Sequence, residues 1–222
     1  MTKQSIDGLK PLWKEATKRI IEKLEKKGIN FKELDAVELF GRDGKWHTSI
    51  FSNKVKTLEI WEVDERWKIE LEQNLPKAKI RILDSIKNLQ HLEKSSKFNL
   101  ILIDNPMNLY GPIESGTNSP KYCEHFDVLP NIEKIIEKEA IVIFNVNRDP
   151  FDYEKFPSWK KRRDEFYETN VTDNMSIEYL IEFYKKFFQK LGFKIRFLET
   201  EVRVFFNEID MTYYFAVFLI KS

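Results

Sequence analysis

The chain has 222 residues, of which 37 are basic and 36 acidic, so its formal net charge is +1. This balance argues against a protein that binds polyanions over its whole surface, although it is compatible with a local basic patch. Hydrophobic residues make up 42% of the sequence, which excludes an intrinsically disordered chain and provides for a sizeable core.

Targeting and redox signals point to a cytoplasmic protein. No apolar run reaches the roughly 18 residues of a membrane span, so no membrane association is expected. The first residues lack the apolar stretch of a signal peptide. The single cysteine, Cys123, excludes an internal disulfide framework and is typical of a reducing compartment.

The first predicted element is an amphipathic helix within residues 1–30. Its apolar residues recur at three- and four-residue steps, and Gly28 follows them as a natural helix stop. These apolar positions are Leu9, Leu12, Trp13, Ala16, Ile20, Ile21 and Leu24.

Five short apolar strands then alternate with helical patterns. The predicted strands are Ala36–Phe40, Leu58–Val63, Lys79–Leu83, Phe98–Ile103 and Ala140–Val146. The helical patterns lie at about 45–53, 65–75, 85–94 and 126–138. Strands separated by helices of this length imply a parallel sheet that is covered on both faces.

The end of the chain has a different pattern. A helix from Ile177 to Leu191 is closed by Gly192, and two long strands follow at about 193–205 and 211–220. We therefore predict an α/β fold with a Rossmann-like, seven-stranded, mostly parallel sheet, helices on both faces and a C-terminal antiparallel β-hairpin. No linker composition divides the chain, so a single domain over 1–222 is expected, with residues 148–175 as an insertion on the substrate side.

Polar residues follow the predicted strands at their carboxyl ends, where a doubly wound sheet binds its ligands. The polar candidates are Glu38 near the end of the first strand, Glu62 and Asp64 at the second, Asp84 at the third, and Asp104 and Asn105 at the fourth. Phe40, Gly41 and Gly44 complete the candidate loop at the end of the first strand. Each has an ordinary structural alternative, since a βα turn uses glycines and a carboxylate before a helix is often its N-cap.

This order of elements resembles the class I S-adenosylmethionine-dependent methyltransferases, over roughly residues 34–221. Their pattern has an acidic residue at the position of Glu38 followed by three alternate glycines, of which only Gly44 is kept here. Phe40 and Arg42 occupy the other two positions, and Gly41 lies between them. The Asp104-Asn105-Pro106 segment is similar to the Asp/Asn-Pro-Pro-aromatic motif of amino-methylating enzymes, although the final aromatic is replaced by methionine.

The resemblance implies S-adenosylmethionine as the cofactor and assigns roles to individual residues. Glu62 is the expected ligand of the ribose hydroxyls, and Asp84 is expected near the adenine amino group. Asp104 and Asn105 are expected to face the acceptor as the catalytic pair. The complete expected cofactor set is Glu38, Phe40, Gly41, Gly44, Glu62, Asp84 and Asp104.

The same segments are also similar to the polyamine (spermidine-type) synthases, which use decarboxylated S-adenosylmethionine and a small-molecule amine. On that alternative, Asp104 would match the proton-accepting aspartate, whereas Asn108 stands where a second carboxylate is expected. Residues 1–30 are expected to form a helix, where that family has an N-terminal β-rich domain. A third alternative is a catalytically inactive Rossmann-like binding module, which Arg42 in the glycine loop would suit.

Tyr110 and Trp159 are the predicted substrate contacts. Trp159 belongs to an aromatic segment that also holds the basic run Lys160–Arg163, and basic residues beside aromatics are typical of nucleic-acid binding. A nucleic acid or nucleotide is therefore the favoured acceptor, although the segment carries enough acidic residues to be a helix with a buried aromatic face. The three histidines and Cys123 have no zinc-ligand spacing, so no metal is expected.

Overall fold

The computed structural model describes residues 10–95, 97–104, 108–109, 122–148, 157–170, 175–205 and 210–222. The strands of the main sheet are β1 (Asp35–Glu38), β2 (Thr57–Glu62), β3 (Lys79–Ile82), β4 (Phe98–Ile103), β5 (Ile136–Asn147), β6 (Phe193–Phe205) and β7 (Asp210–Lys221). The α-helices are α1 (Lys10–Lys26), α2 (Thr48–Phe51), α3 (Lys68–Asn74), α4 (Ser85–His91), α5 (Pro157–Tyr167) and α6 (Ile177–Lys190).

The predicted sheet is confirmed. Its seven strands have the order β3-β2-β1-β4-β5-β7-β6, with β1 to β5 parallel and β7 antiparallel to both of its neighbours. The chain runs outward from β1 to β3 and then returns to place β4 on the other side of β1. This reversal makes the carboxyl ends of β1 and β4 the switch point at which a doubly wound sheet forms its ligand crevice.

Each face of the sheet has its own apolar core. On one face, Leu180, Tyr184 and Phe188 of α6 pack with Phe144 and Phe215 of the central strands. On the other face, the buried residues come from α1, α2 and α3 and from the opposite side chains of the same strands: Ala16, Ile20, Leu24, Phe51, Leu71, Ile141 and Tyr214. Helices therefore cover both faces, as the alternating pattern predicted.

The predicted helix over 126–138 is wrong. Two 3-10 helices, His125–Asp127 and Leu129–Lys134, lie there instead, and β5 begins at Ile136 rather than at Ala140. Apolar residues at 129, 132 and 135 recur every three residues, which matches the three-residue turn of a 3-10 helix. The start of β5 was missed because residues 137–139 are charged and exposed, so the continuous apolar run begins only at Ala140.

Helix α1 is attached to β6 by ion pairs that join the two ends of the chain. The Glu201 carboxylate contacts Arg19 at 2.8 Å and Lys23 at 2.8 Å, and Glu199 contacts Lys27 at 2.9 Å. Gly28 ends the helix in a left-handed conformation with φ of +85°, as predicted. None of the helices in the described ranges is long and apolar enough to cross a membrane.

Helix α5 packs on a buried polar cluster rather than on apolar side chains alone. Arg163 Nη1 donates to both carboxylate oxygens of Glu124 at 3.1 Å, and Trp159 Nε1 donates to Glu124 Oε1 at 2.7 Å. Arg163 Nη2 donates to the carbonyl of Asn147 at 2.7 Å, which ties α5 to the end of β5. Burial raises the pKa of Glu124 to about 7, and the neighbouring Arg163 opposes that shift.

Replacement of Arg163 by methionine should destabilise the fold by about 3–5 kcal/mol, because it leaves the buried Glu124 carboxylate without its cation. Adding Glu124→Gln to that variant should recover part of the loss. The matched control is Arg162→Met, whose side chain is 38% exposed beside Asp127 and should cost less than about 1 kcal/mol. Urea unfolding measures all three, and equal costs for Arg162→Met and Arg163→Met would contradict the role of the buried pair.

Candidate functional site

Four carboxylates stand at the carboxyl edge of the sheet. Glu38 ends β1, Glu62 ends β2, Asp84 lies two residues beyond β3, and Asp104 directly follows β4. Because these strands are neighbours and parallel, their carboxyl ends lie along one edge, in the order Asp84, Glu62, Glu38, Asp104. The fold thus brings together residues that the sequence spreads over 67 positions.

Glu62 is buried and holds the turn between β2 and α3. Its Oε1 accepts the backbone N–H of Asp64 at 2.7 Å, and its Oε2 accepts the backbone N–H of Arg42 at 2.6 Å. Burial raises the pKa of Glu62, and the two backbone bonds oppose that rise. Asp64 takes the structural alternative of an N-cap, since its side chain accepts the N–H of Arg66 at the start of the following 3-10 helix.

The two loop glycines are required by packing against β2 and α3. A Cβ at Gly41 would lie 2.2 Å from Cγ2 of Ile60, and a Cβ at Gly44 would lie 2.8 Å from Cδ1 of Leu75. Gly44 also has φ of +71°, which favours glycine. Both glycines belong to the expected cofactor set; their close neighbours in the structure are side chains of this chain, and contact with a cofactor stays a prediction.

Arg42 takes a backbone conformation that glycine usually supplies. Its φ is 45°, in the left-handed region, and this turn directs its N–H to Glu62. Its exposed guanidinium lies 5.5 Å from the ring centroid of Trp46 and 5.6 Å from that of Trp67. Cation–π contacts of this kind offset part of the roughly 1–2 kcal/mol cost of a left-handed non-glycine residue.

Glu38 is buried beside Asp104 at the switch point. Thr48 Oγ1 donates to its Oε2 at 2.6 Å, and the backbone N–H groups of Phe40 and Asp104 make longer bonds of 3.4 and 3.5 Å to Oε1. Burial raises the pKa of Glu38 well above its usual value, and the negative charge of Asp104 raises it further. The arrangement favours the protonated form of Glu38.

Asp104 is held by two side chains that the sequence analysis did not select. Asn145 Nδ2 donates to Asp104 Oδ1 at 2.8 Å, and His47 Nε2 lies 3.2 Å from the same oxygen. The signal for Asn145 was available, because it is an amide inside the otherwise apolar fifth strand. His47 was weighed only as a zinc ligand, and nothing local connects it with a residue 57 positions later.

Of the remaining predicted site residues, two lie in the described part of the chain and have structural contacts. Asp84 caps α4 by accepting the N–H of Lys87 at 3.0 Å, so its structural alternative is observed while its contact with adenine stays a prediction. Trp159 is 1% exposed and bonded to Glu124, so its ring lies in the interior. Its role as a substrate contact is untested. Asn105 and Tyr110 lie outside the described residues.

The basic run Lys160–Arg163 is paired along its whole length. The four side chains contact Asp164, Glu165, Asp127 and Glu124 in chain order. The run therefore does not present four unpaired positive charges to a polyanion. The described residues contain no cluster of three or more His, Cys, Asp or Glu side chains that could hold a metal ion.

The support for the fold from known proteins comes from solved structures. No family model matches the chain, and no curated protein matches its sequence. The magnesium protoporphyrin IX methyltransferase of Synechocystis, crystallised with S-adenosylhomocysteine, matches all 100% of the chain and 90% of its own length, with a TM-score of 0.56 and 11% identity. The chain has the class I methyltransferase fold.

Two further structures share this class I methyltransferase fold. TYW2 of M. jannaschii, crystallised with AdoMet, is 11% identical, with a TM-score of 0.53 over 91% of this chain and 76% of its own. A protein of Pyrococcus horikoshii, provisionally described as an RNA methyltransferase, is 13% identical, with a TM-score of 0.52 over 92% of this chain and 83% of its own. At such identities the likeness extends to the fold alone.

Gly41→Ala should lower the free energy of unfolding by about 1–3 kcal/mol, because the new methyl group overlaps the Ile60 side chain. The loop cannot move away freely, since Gly41 N–H donates to the carbonyl of Trp61 at 3.0 Å. Ile60→Ala removes the clashing Cγ2, so the double variant should cost clearly less than the sum of the single ones. Additive costs in denaturant titrations would show that the clash is relieved in another way.

Proposed function

We propose that the chain binds S-adenosylmethionine at the carboxyl edge of the sheet and transfers its methyl group to an acceptor beside Asp104. The observation that carries the proposal is the row of four carboxylates at the ends of neighbouring parallel strands in a class I methyltransferase fold. All four are held in place by hydrogen bonds from other groups of the chain.

The residues of this edge fit the chemistry of the cofactor. Each Glu62 oxygen accepts one backbone N–H and has a second lone pair, so the carboxylate can accept two ribose hydroxyls. Such charge-assisted bonds are worth roughly 1.5–3 kcal/mol each. Asn145 Oδ1 is buried beside Asp104 and has no hydrogen-bond donor among the described residues, so a ligand or water hydrogen would satisfy it.

The bound cofactor would supply a methyl group already activated by its positive sulfur. The residues of this chain then act mainly by positioning. Glu62 would bind the ribose, Asp84 would lie near the adenine amino group, and the loop from Phe40 to Gly44 would enclose the methionine portion. Asp104 would orient the nucleophile and accept its proton, with Asn105 beside it.

A nucleic acid or nucleotide is the proposed acceptor. The support is the polar Asp104-Asn105-Pro106 segment and the presence of a provisionally described RNA methyltransferase among proteins of this fold. The basic run of α5 gives no support, because its side chains are engaged by carboxylates. Contacts to a phosphate backbone would therefore come from other parts of the chain.

Aminopropyl transfer to an amine is the second candidate. The observation in its favour is Asp104 at the switch point, whose carboxylate would suit a cationic amine and whose position matches the proton-accepting aspartate of the polyamine synthases. Against it stands Asn108, which offers an amide where the polyamine synthases have a second carboxylate.

Glu62→Gln should weaken the binding of S-adenosylhomocysteine about tenfold or more, because one charged acceptor of the ribose hydroxyls is lost. Glu59→Gln, three residues earlier on the same strand, is the matched control. The Glu59 carboxylate bonds Trp61 and Arg81 and lies away from the carboxyl edge, so its loss should change the affinity less than twofold. Calorimetric titration measures both, and an unchanged affinity for Glu62→Gln would exclude the ribose role.

Transfer is tested with two labelled donors in parallel. One is S-adenosylmethionine with a labelled methyl group, and the other is decarboxylated S-adenosylmethionine with a labelled aminopropyl group. Each donor is incubated with the protein and with RNA, DNA, nucleotides or polyamines. Methylation of a nucleic acid or nucleotide by the wild-type protein, reduced at least about a hundredfold in Asp104→Asn, is the expected result. Labelled polyamine from the decarboxylated donor would favour the second candidate. Failure to bind either donor or S-adenosylhomocysteine would instead indicate an inactive binding module.

A further inference from the structure

His47 occupies a buried position between α1 and the carboxyl edge of the sheet. It directly precedes α2, and its ring packs against Tyr214 of β7 with 5.5 Å between the ring centroids. Its Nδ1 lies 2.5 Å from Oγ1 of Thr17 on α1, and its Nε2 lies 3.2 Å from Oδ1 of Asp104. Both ring nitrogens therefore have a partner, and one partner is the proposed acceptor-facing carboxylate.

The contacts of the ring define its protonation. A carboxylate oxygen can only accept, so the nitrogen that faces Asp104 must carry the hydrogen, and Thr17 then donates to Nδ1. A doubly protonated ring is disfavoured, because burial lowers the pKa of His47, as do the positive charges of Arg203 and Lys14, against the opposing effect of Asp104. His47 is thus a neutral ring with its hydrogen on Nε2.

Asp104 is consequently held by one of its two oxygens. His47 Nε2 and Asn145 Nδ2 both direct a hydrogen at Oδ1. Asn145 lies on β5, one neighbour of β4 in the sheet, and His47 lies in the connection that follows β1, the other neighbour. Among the described residues no group donates to Oδ2. The side chain of Asp104 is 16% exposed, compared with 4% for His47, so Asp104 is partly accessible to solvent and His47 is buried.

We propose that His47 is a positioning residue that, together with Asn145, fixes Oδ1 of Asp104 so that Oδ2 faces the transferred group and takes a hydrogen from the acceptor. The inference rests on the proposed function and makes the acceptor a nucleophile that carries N–H or O–H. The nucleophile's lone pair forms the bond to the methyl carbon, the carbon–sulfur bond breaks with its electron pair on sulfur, and the nucleophile's proton goes to Oδ2. Thr17 acts on Asp104 indirectly, because its hydrogen bond to Nδ1 sets the tautomer of His47.

The test compares two ligands that need no knowledge of the acceptor. Sinefungin carries a protonated amine where S-adenosylmethionine carries its methylsulfonium, whereas S-adenosylhomocysteine has neither. Sinefungin should bind the wild-type protein about tenfold or more tightly than S-adenosylhomocysteine, because its amine donates a charge-assisted hydrogen bond to Oδ2. Asp104→Asn should abolish this preference.

His47→Leu should reduce the preference about tenfold and leave the affinity for S-adenosylhomocysteine within twofold of wild type. His47→Gln, whose amide nitrogen reaches about as far as Nε2, should retain most of it. The matched control is His91→Gln at the end of α4, which removes an exposed histidine and should retain all of it. A preference that survives in His47→Leu would overturn the proposal while leaving S-adenosylhomocysteine binding, and hence the proposed function, intact.

Nitrogen NMR of the wild-type imidazole keeps the proposal falsifiable if His47→Leu fails to fold. The expected spectrum at pH 7 has a neutral ring with its hydrogen on Nε2, and Thr17→Val should introduce the other tautomer or a charged ring. A wild-type His47 with its hydrogen on Nδ1 would overturn the proposal. Absence of binding by both ligands would overturn the proposed function and this inference with it.

Discussion

The carboxyl groups of Glu38 and Asp104 meet where β1 and β4 end, and their hydrogen bonds organise this edge of the sheet. A carboxyl group that loses contact with water costs free energy unless it finds hydrogen-bond partners within the protein, so both are bonded to other elements. Thr48 supplies one hydrogen for Glu38, and His47 and Asn145 supply two for Asp104. These contacts connect the start of α2 and strand β5 to the carboxyl ends of β1 and β4.

The neighbouring turn meets the same requirement with backbone groups. Glu62 receives the N–H of Arg42, which is aimed correctly only because that residue has a left-handed φ of 45°. The loop can reach this position because Gly41 and Gly44 leave room for Ile60, Leu71 and Leu75. Arginine at the turn is therefore compatible with a glycine-like backbone, since the two tryptophans beside it support its guanidinium outside the loop.

The sequence predicted most of the fold because strand identity is a local property. The apolar runs located every strand of the main sheet, and Gly28 and Gly192 ended the helices as expected, both with φ of +85°. The site was harder to predict, since its hydrogen bonds connect distant residues through the strand order. Thr17 and His47 are 30 positions apart, and no periodicity or motif couples them. The 3-10 helices near Pro130 were missed because their three-residue spacing resembles that of an α-helix.

The basic run of α5 illustrates why residue type alone does not identify a binding surface. The sequence of this run is typical of a positive patch beside aromatic residues. In the structure, Arg163 is fully buried against Glu124. Its Nη2 also donates to the carbonyl of Asn147 at the carboxyl end of β5. Asn147 in turn accepts a hydrogen from Thr212, which itself accepts one from Arg203. The helix is thus connected, through hydrogen bonds at the ends of β5, β6 and β7, to the edge that carries Asp104. Arg163 attaches the segment to β5, whereas Lys160 and Lys161 pair with carboxylates of α5 itself.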